Sequence, residues 1–204
     1  MRDIVLSLSV SLDGFFEGPG GDISWHRVDD ELHQHLNDRL RTMGGFLTGR
    51  ATHELMAAYW PTADAGPAAS GPTAEFAGIW RSMPKTVYSR TLAPGPAPWN
   101  ATVVPEVVVA DVRALKAQEG GDLVVGGPNL AATFLRHGLV DEFRTYVHPV
   151  LVGGGTRLFP EVPFAGADRA VGLRLVESRT FGNGVVLLRH RVDADDPALE
   201  GRRQ

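Results

Sequence analysis

Asp122-Leu-Val-Val-Gly-Gly-Pro-Asn-Leu-Ala-Ala-Thr-Phe-Leu-Arg-His-Gly138 carries a short apolar strand through two glycines directly into a helix. Glycine lets the backbone come close to a ligand, and the unpaired amides at a helix start carry partial positive charge, so the junction can seat a phosphate. The helix is punctuated at both ends: Pro128 suits its first turn, Leu130, Phe134 and Leu135 supply an apolar face, and Gly138 stops it. The same junction also serves where a sheet and a helix merely pack tightly. A standard Rossmann turn is disfavoured, since no third glycine follows at the required spacing and no acidic residue sits about 20 positions on.

Working outward, residues 3–12 alternate Ile4, Leu6, Leu8, Val10 and Leu12 against Val5, Ser7, Ser9 and Ser11. This predicts a strand with one apolar face and one small, weakly polar face that can border a cleft. A Gly-rich loop, Asp13 to Asp22, leads to a helix over about Val28 to Thr42 with the stripe Leu32, Leu36, Leu40 and Met43. Phe46-Leu47-Thr48 reads as a strand entering a helix from Ala51 to Tyr59. The stretch from Thr62 to Thr73, rich in Ala, Gly and Pro, reads as a mobile loop, followed by a helix over Ala74–Arg81 and a strand over Lys85–Ser89. Arg90 to Ala101 reads as a Pro-rich connection, and Asp111 as the N-cap of a helix reaching Gln118. Glu142–Leu151, Leu173–Thr180 and Val185–Val192 read as strands, the last two joined through Gly182-Asn183-Gly184 as an antiparallel hairpin. The pattern predicts an α/β fold: one domain over 1–192, a mostly parallel central sheet with flanking helices, a C-terminal antiparallel hairpin, and a disordered tail over 193–204.

At 204 residues, 43% apolar and 22% charged, the chain is an ordinary soluble domain by composition. Its net charge of −4 recommends neither nucleic acid nor an anionic membrane as partner. The absence of cysteine excludes disulfides and thiolate chemistry and fits a cytoplasmic location. The N-terminus reads as a strand, not a signal peptide, and no apolar run approaches the length of a membrane span. Seven histidines raise the question of a metal, but His33 and His35 point to different sides of a helix, and His53, His137, His148 and His190 are scattered; no metal site is expected. A Gly-x-Ser-x-Gly elbow is absent, so nothing supports Ser-His-Asp hydrolysis.

Two further clusters point to an anion. In Leu47-Thr-Gly-Arg-Ala-Thr52 a second strand-Gly-helix junction carries Arg50 and Thr52 in the first turn, where both can hold phosphate oxygens. The alternative is that Arg50 pairs with a surface carboxylate and Thr52 caps the helix. Ser89, Arg90 and Thr91 end a strand, and ligands of open α/β sheets gather at the carboxyl ends of strands; Arg90 with hydroxyl neighbours suits a ribose 2′-phosphate, hence NADPH over NADH. Asp13, before Gly14, is either a local turn residue or a carboxylate that bonds substrate or relays a proton, with Phe15 and Trp25 roofing the pocket or simply packing.

Ser11-Leu-Asp-Gly-Phe15, Thr48-Gly-Arg-Ala-Thr-His-Glu54, Ser89-Arg-Thr-Leu92, Val125-Gly-Gly-Pro-Asn-Leu130, Val140-Asp-Glu-Phe143 and His148-Pro-Val-Leu-Val-Gly-Gly-Gly-Thr-Arg-Leu-Phe159 occur in one order. Together they resemble the dihydrofolate reductase-like family, and within it the riboflavin-biosynthesis reductase C-terminal domain. The likeness runs from about residue 3 to residue 192. It implies a dihydrofolate reductase-like fold, NADPH as hydride donor, a pteridine or pyrimidine-like substrate and a homodimer. Family cofactor contacts carry over to Gly49, Arg50, Thr52, Ser89, Arg90, Gly126, Gly127, Asn129 and Leu130. The substrate side carries over to Asp13, with Phe15, Trp25 and the turn from Leu151 through Gly153 to Gly155 beside it. Unlike dihydrofolate reductases, which place one carboxylate on the first long helix, this chain crowds Asp29, Asp30 and Glu31 at its start. The expected function is an NADPH-dependent reductase of a small heteroaromatic substrate. The alternatives are a non-catalytic dimeric nucleotide-binding protein of the same fold and an unrelated nucleotide-handling enzyme.

Overall fold

The computed structural model describes residues 1–66, 71–159 and 171–193. The expected tail, apart from Asp193, lies outside the described residues, as do positions 67–70 of the Ala/Pro loop. The strands are β1 (Ile4–Ser11), β2 (Phe15–Glu17), β3 (Gly45–Gly49), β4 (Lys85–Tyr88), β5 (Gly95–Ala97), β6 (Ala101–Val104), β7 (Leu123–Gly126), β8 (Glu142–His148), β9 (Thr156–Arg157), β10 (Gly172–Thr180) and β11 (Val186–Asp193). The helices are α1 (Asp30–Leu40), α2 (Arg50–Tyr59), α3 (Gly71–Ser82), α4 (Val109–Ala117) and α5 (Pro128–Arg136). By contacts the chain divides into two compact units, Met1–Arg2 with Val28–Leu130, and Asp3–Arg27 with the chain from Ala131 onward.

The first unit is built on strands in the order β7-β3-β4-β6-β5. The pairs β3/β7, β3/β4 and β4/β6 are parallel, and β5 returns antiparallel to β6. Leu123, Val124 and Val125 are each at most 5% exposed, as a strand buried on both faces requires. Asp29 caps α1 by accepting from the Leu32 amide at 3.0 Å, and Asp30 and Glu31 follow in the first turn, where acidic side chains suit the helix dipole. Two sequence expectations fail here. The connection read over Arg90–Ala101 contains β5 and the start of β6, joined through Trp99 (φ 64°) and Asn100 (φ 55°), and Leu92 and Ala97 pack on buried Val87, Ala101 and Val103. Helix α4 starts earlier than expected, behind Val108, so Asp111 lies in its first turn and is not its cap.

The second unit carries strands in the order β10-β11-β8-β1 and a separate antiparallel pair, β2-β9. β1 and β8 are parallel, whereas β11 runs antiparallel to both β8 and β10, with a register shift between Leu175 and Glu177. The expected C-terminal hairpin is present and turns through Gly184 (φ 86°). β8 stops at His148, short of the expected Leu151, because Pro149 has no amide hydrogen to continue the ladder. In register, Ser7, Ser9 and Ser11 of β1 stand beside Arg144, Tyr146 and His148 of β8, so the small face of β1 belongs to a polar sheet face. Among the described residues, no helix is long and apolar enough to cross a membrane, and no three His, Asp or Glu side chains are grouped to hold a metal ion.

Candidate functional site

In the first unit, β7, β3 and β4 lie side by side and end at one edge: Thr48 pairs with Gly126, and Gly49 with Tyr88. Gly49-Arg50, Ser89-Arg90 and Gly126-Gly127 therefore follow three adjacent strand ends, and two of these lead into the N-termini of α2 and α5. A Cβ built on Gly49 or Gly126 would meet nothing within 4 Å, so the backbone there lies open to close approach. Gly127 differs: its φ is +88°, and a Cβ there would strike Thr52 Oγ1. The glycine thus lets Thr52 of α2 rest against the β7–α5 junction.

Thr52 caps no helix, since Gly49 is the N-cap residue of α2 and makes no side-chain cap bond. Arg50 does pair with a carboxylate, that of Glu54 one turn on, at 2.6 Å. Both side chains are about half exposed (47% and 49%), and such a pair is worth only about 0.3–0.5 kcal/mol, so it yields readily to a competing anion. Ser89 is buried; its Oγ accepts from the Thr91 and Leu92 amides at 3.2 and 3.0 Å. That turn leaves Arg90 exposed at its tip. Asn129 is exposed in the first turn of α5, whereas Leu130 is buried and belongs to the packing of the helix.

The second unit holds Asp13, Phe15, Trp25, Leu151 and Gly153. Ser11 Oγ donates to Asp13 Oδ1 at 2.6 Å, and the amides of Val152 and Gly153 donate to Oδ1 and Oδ2 at 3.1 and 2.8 Å. Asp13 thus anchors the Gly-rich turn, where Gly153 has φ +76° and Leu151 is 71% exposed. The Ser11 hydroxyl, opposed by some desolvation and helped by the two amides, holds the Asp13 carboxyl down to about 2. It is a carboxylate near neutrality, an acceptor with no proton to give. Phe15 is buried with the Arg157 guanidinium 4.7 Å over its ring, and its amide donates to Ser11 Oγ at 2.9 Å.

Trp25 occupies a corner that the sequence reading missed. Its ring meets those of His26 and His148 edge-on at 4.3 and 5.6 Å, and the two imidazoles stack at 5.1 Å. His148 is fully buried and neighbours Ser11 in register, which places the corner beside the Asp13 anchor. Burial, then His26 and Arg27, push the His148 imidazole down to about 4, and burial lowers His26 as well. The signal was present in the alternation of β8, whose phase puts Tyr146 and His148 on one face, but scattered spacing hid it.

The comparisons with known proteins bear on the fold and the family. The chain is 34% identical over 189 residues to the uncharacterized protein YyaP of Bacillus subtilis (strain 168), covering 91% of this chain and 92% of that one. In structure it is similar to a riboflavin biosynthesis protein, so described with reservation, from Shewanella sp. PV-4 (TM-score 0.67, 21% identity, 95% and 99% of the two chains). It is also similar to a pyrimidine reductase-like protein from Corynebacterium diphtheriae (TM-score 0.63, 16% identity, 95% and 93%). The α/β fold is thus the dihydrofolate reductase-like one of these neighbours. With the RibD C-terminal domain model matching residues 2–187, nearly its whole described length, the chain belongs to the RibD C-terminal domain family.

Proposed function

We propose that this protein is an NADPH-dependent reductase that delivers hydride to a small pteridine or pyrimidine-like ring. The observation that carries the reading is the alignment of three strand ends, Gly49-Arg50, Ser89-Arg90 and Gly126-Gly127, at one edge of parallel strands. The residues fit the cofactor. Open backbone at Gly49 and Gly126 admits a pyrophosphate against the starts of α2 and α5, and Arg50 and Thr52 supply a cation and a hydroxyl beside it. Arg90, exposed on a turn shaped by Ser89, suits the 2′-phosphate, and Asn129 adds a polar side chain at the start of α5. Bound there, NADPH supplies the hydride.

On the substrate side, Asp13 holds the Leu151–Gly155 turn in shape and offers an anionic acceptor, while Trp25 and Phe15 contribute aromatic surface. An ionised Asp13 leaves the proton to solvent. That same observation favours, as the second reading, a non-catalytic dimeric nucleotide-binding protein of this fold. In either reading we assign homodimer formation to β10, an outer strand whose Leu173, Leu175 and Val176 are 43%, 52% and 40% exposed, and a cytoplasmic location.

NADPH and NADH titrations of the wild type, Arg50→Ala and Arg90→Ala test the cofactor assignment. Arg50→Ala should weaken both nucleotides. Arg90→Ala should weaken NADPH alone by about 10-fold or more, the loss of one charge-assisted phosphate contact. No NADPH binding by the wild type would refute both readings. An NADPH-oxidation screen over dihydrofolate, pterins and ribosylaminopyrimidines then separates them, because only a reductase turns over.

A further inference from the structure

Arg27 is the last residue of the second unit before the chain leaves it, and its backbone is fixed from both sides. Its N–H donates to Nδ1 of His148 at 3.0 Å, and its carbonyl accepts from Nδ2 of Asn183 at 2.8 Å. With Nδ1 as acceptor, the neutral His148 ring carries its hydrogen on Nε2, which is buried without a hydrogen-bond partner among the described residues. His26 stacks on that ring and has a hydrogen bond with the Phe16 backbone, and its own Nε2 is likewise buried without a partner among the described residues. Trp25, whose indole N–H donates to the Asp22 carbonyl at 3.0 Å, closes the corner.

The charges nearest His148 oppose its protonation, and one carboxylate acts on His26. From the segment itself come His26 and Arg27, both unfavourable to a second cation, and Asp22, whose carboxylate acts on His26. From β1 comes Ser11, whose hydroxyl is already given to Asp13. From the β10–β11 turn comes the neutral Asn183.

We propose that His148 is the positioning residue of the Asp22–Arg27 segment and that it holds the segment only while its imidazole is neutral. A proton from water that binds Nδ1 takes the lone pair that accepts the Arg27 N–H. That hydrogen bond breaks, an N–H bond forms on the ring as the donor's O–H bond breaks, and an imidazolium is left stacked on His26 with no carboxylate bonded to it among the described residues. The segment, with Trp25, then opens. This goes beyond the reductase reading, and its test uses no substrate or nucleotide.

Hydrogen exchange of the full chain between pH 7 and pH 4, corrected for intrinsic rates, reads the opening directly. Peptides spanning Asp22–Val28 should open about tenfold more per pH unit from roughly 6.5 down towards 4, while β3 and β7 stay protected. His148→Asn, whose Oδ1 can accept the same N–H without titrating, should keep the segment protected at both ends of the range. His148→Leu should open it throughout. Unchanged wild-type protection down to pH 4 overturns the proposal, as does protection of β3 and β7 that falls to the level of the segment, or acid opening of His148→Asn that matches the wild type. If either variant fails to fold, the wild-type exchange profile and the NMR titration of the His148 ring decide together: opening and ring protonation must coincide.

Discussion

Ser11 gives its hydroxyl hydrogen to Asp13 at 2.6 Å while its oxygen receives the Phe15 amide at 2.9 Å, so one serine lowers the carboxyl's titration and ties it to the start of β2. With Val152 and Gly153 on its oxygens as well, Asp13 works as an anchor for a distant turn. We predict that Asp13→Asn, which exchanges one acceptor oxygen for a donor, lowers turnover by about 10²-fold, the scale of a misplaced site. NADPH affinity should stay within about twofold, because the residues proposed for the cofactor belong to the other unit. Steady-state kinetics beside a fluorescence titration checks both, and a parallel fall in affinity would count against the assignment.

Gly126 and Gly127 are neighbours with opposite expectations. An alanine methyl at 126 enters open space, so Gly126→Ala should leave the melting temperature nearly unchanged yet weaken NADPH by obstructing the backbone. At 127 the methyl meets Thr52 and the backbone is left-handed, so Gly127→Ala should lose about 1–3 kcal/mol of stability. Thermal melts with and without NADPH separate the two effects.

Glu142 is 2% exposed and takes two bonds from Arg189 at 2.8 Å and one from Arg144 at 2.7 Å. Burial pushes its carboxyl up, but the bonds from the two arginines outweigh it and hold the group below 4.5. A depressed carboxyl stabilises the fold above its unfolded value and loses that contribution as pH falls through the lower folded one. Glu142→Gln should cost about 3–5 kcal/mol at pH 7, because it takes the carboxylate from buried Arg144 and leaves Arg189 with only Glu177 at 3.7 Å among the described residues, and should flatten stability below about pH 4.5. Denaturant melts across pH would show it.

His148 gives an earlier acid limb of the same sign for a different reason. The folded imidazole titrates near 4 and the unfolded one near 6.5, so the unfolded state takes up the proton first as pH falls. Stability should decline from about pH 6.5 and level off below 4, by about 3 kcal/mol in all. His148→Asn should remove that decline and leave the Glu142 limb in place.

Lys85 is 4% exposed, and its ammonium donates to the carbonyls of Met83 and Trp99 at 2.8 and 2.7 Å and to that of Trp80, 4.4 Å from whose ring centroid it also lies. Lys85→Met keeps the stem and strands three carbonyls. We predict a loss of about 2–4 kcal/mol with nucleotide affinity unchanged, since Lys85 starts β4 and the residues proposed for the cofactor follow its end. An affinity change larger than the stability change explains would show that the two ends of β4 are coupled.

Local patterning carried much of this protein. The glycine junctions after β3 and β7, the alternating β1 and the hairpin through Gly184 each depend on neighbours in sequence and were legible. The turn between β5 and β6 was not, because Trp99 and Asn100 adopt a backbone usually signalled by glycine. The site was readable as residue types and not as relationships. Asp13 meets Gly153 across 140 positions, and His148 meets Arg27 across 121, distances at which no periodicity survives.

The same long span imposes an order on biosynthesis. β1 leaves the ribosome well before β8, yet the Ile4 amide bonds a side chain 137 positions later and Val5–Ser11 pair with β8. At about 5–20 residues per second, that partner is made roughly 7–27 seconds after β1. Through that interval Ile4, Val5 and Leu6, each at most 3% exposed in the finished fold, lack the partner strand that helps to cover them. The newborn chain therefore carries an apolar segment for some seconds before the strand that covers it exists.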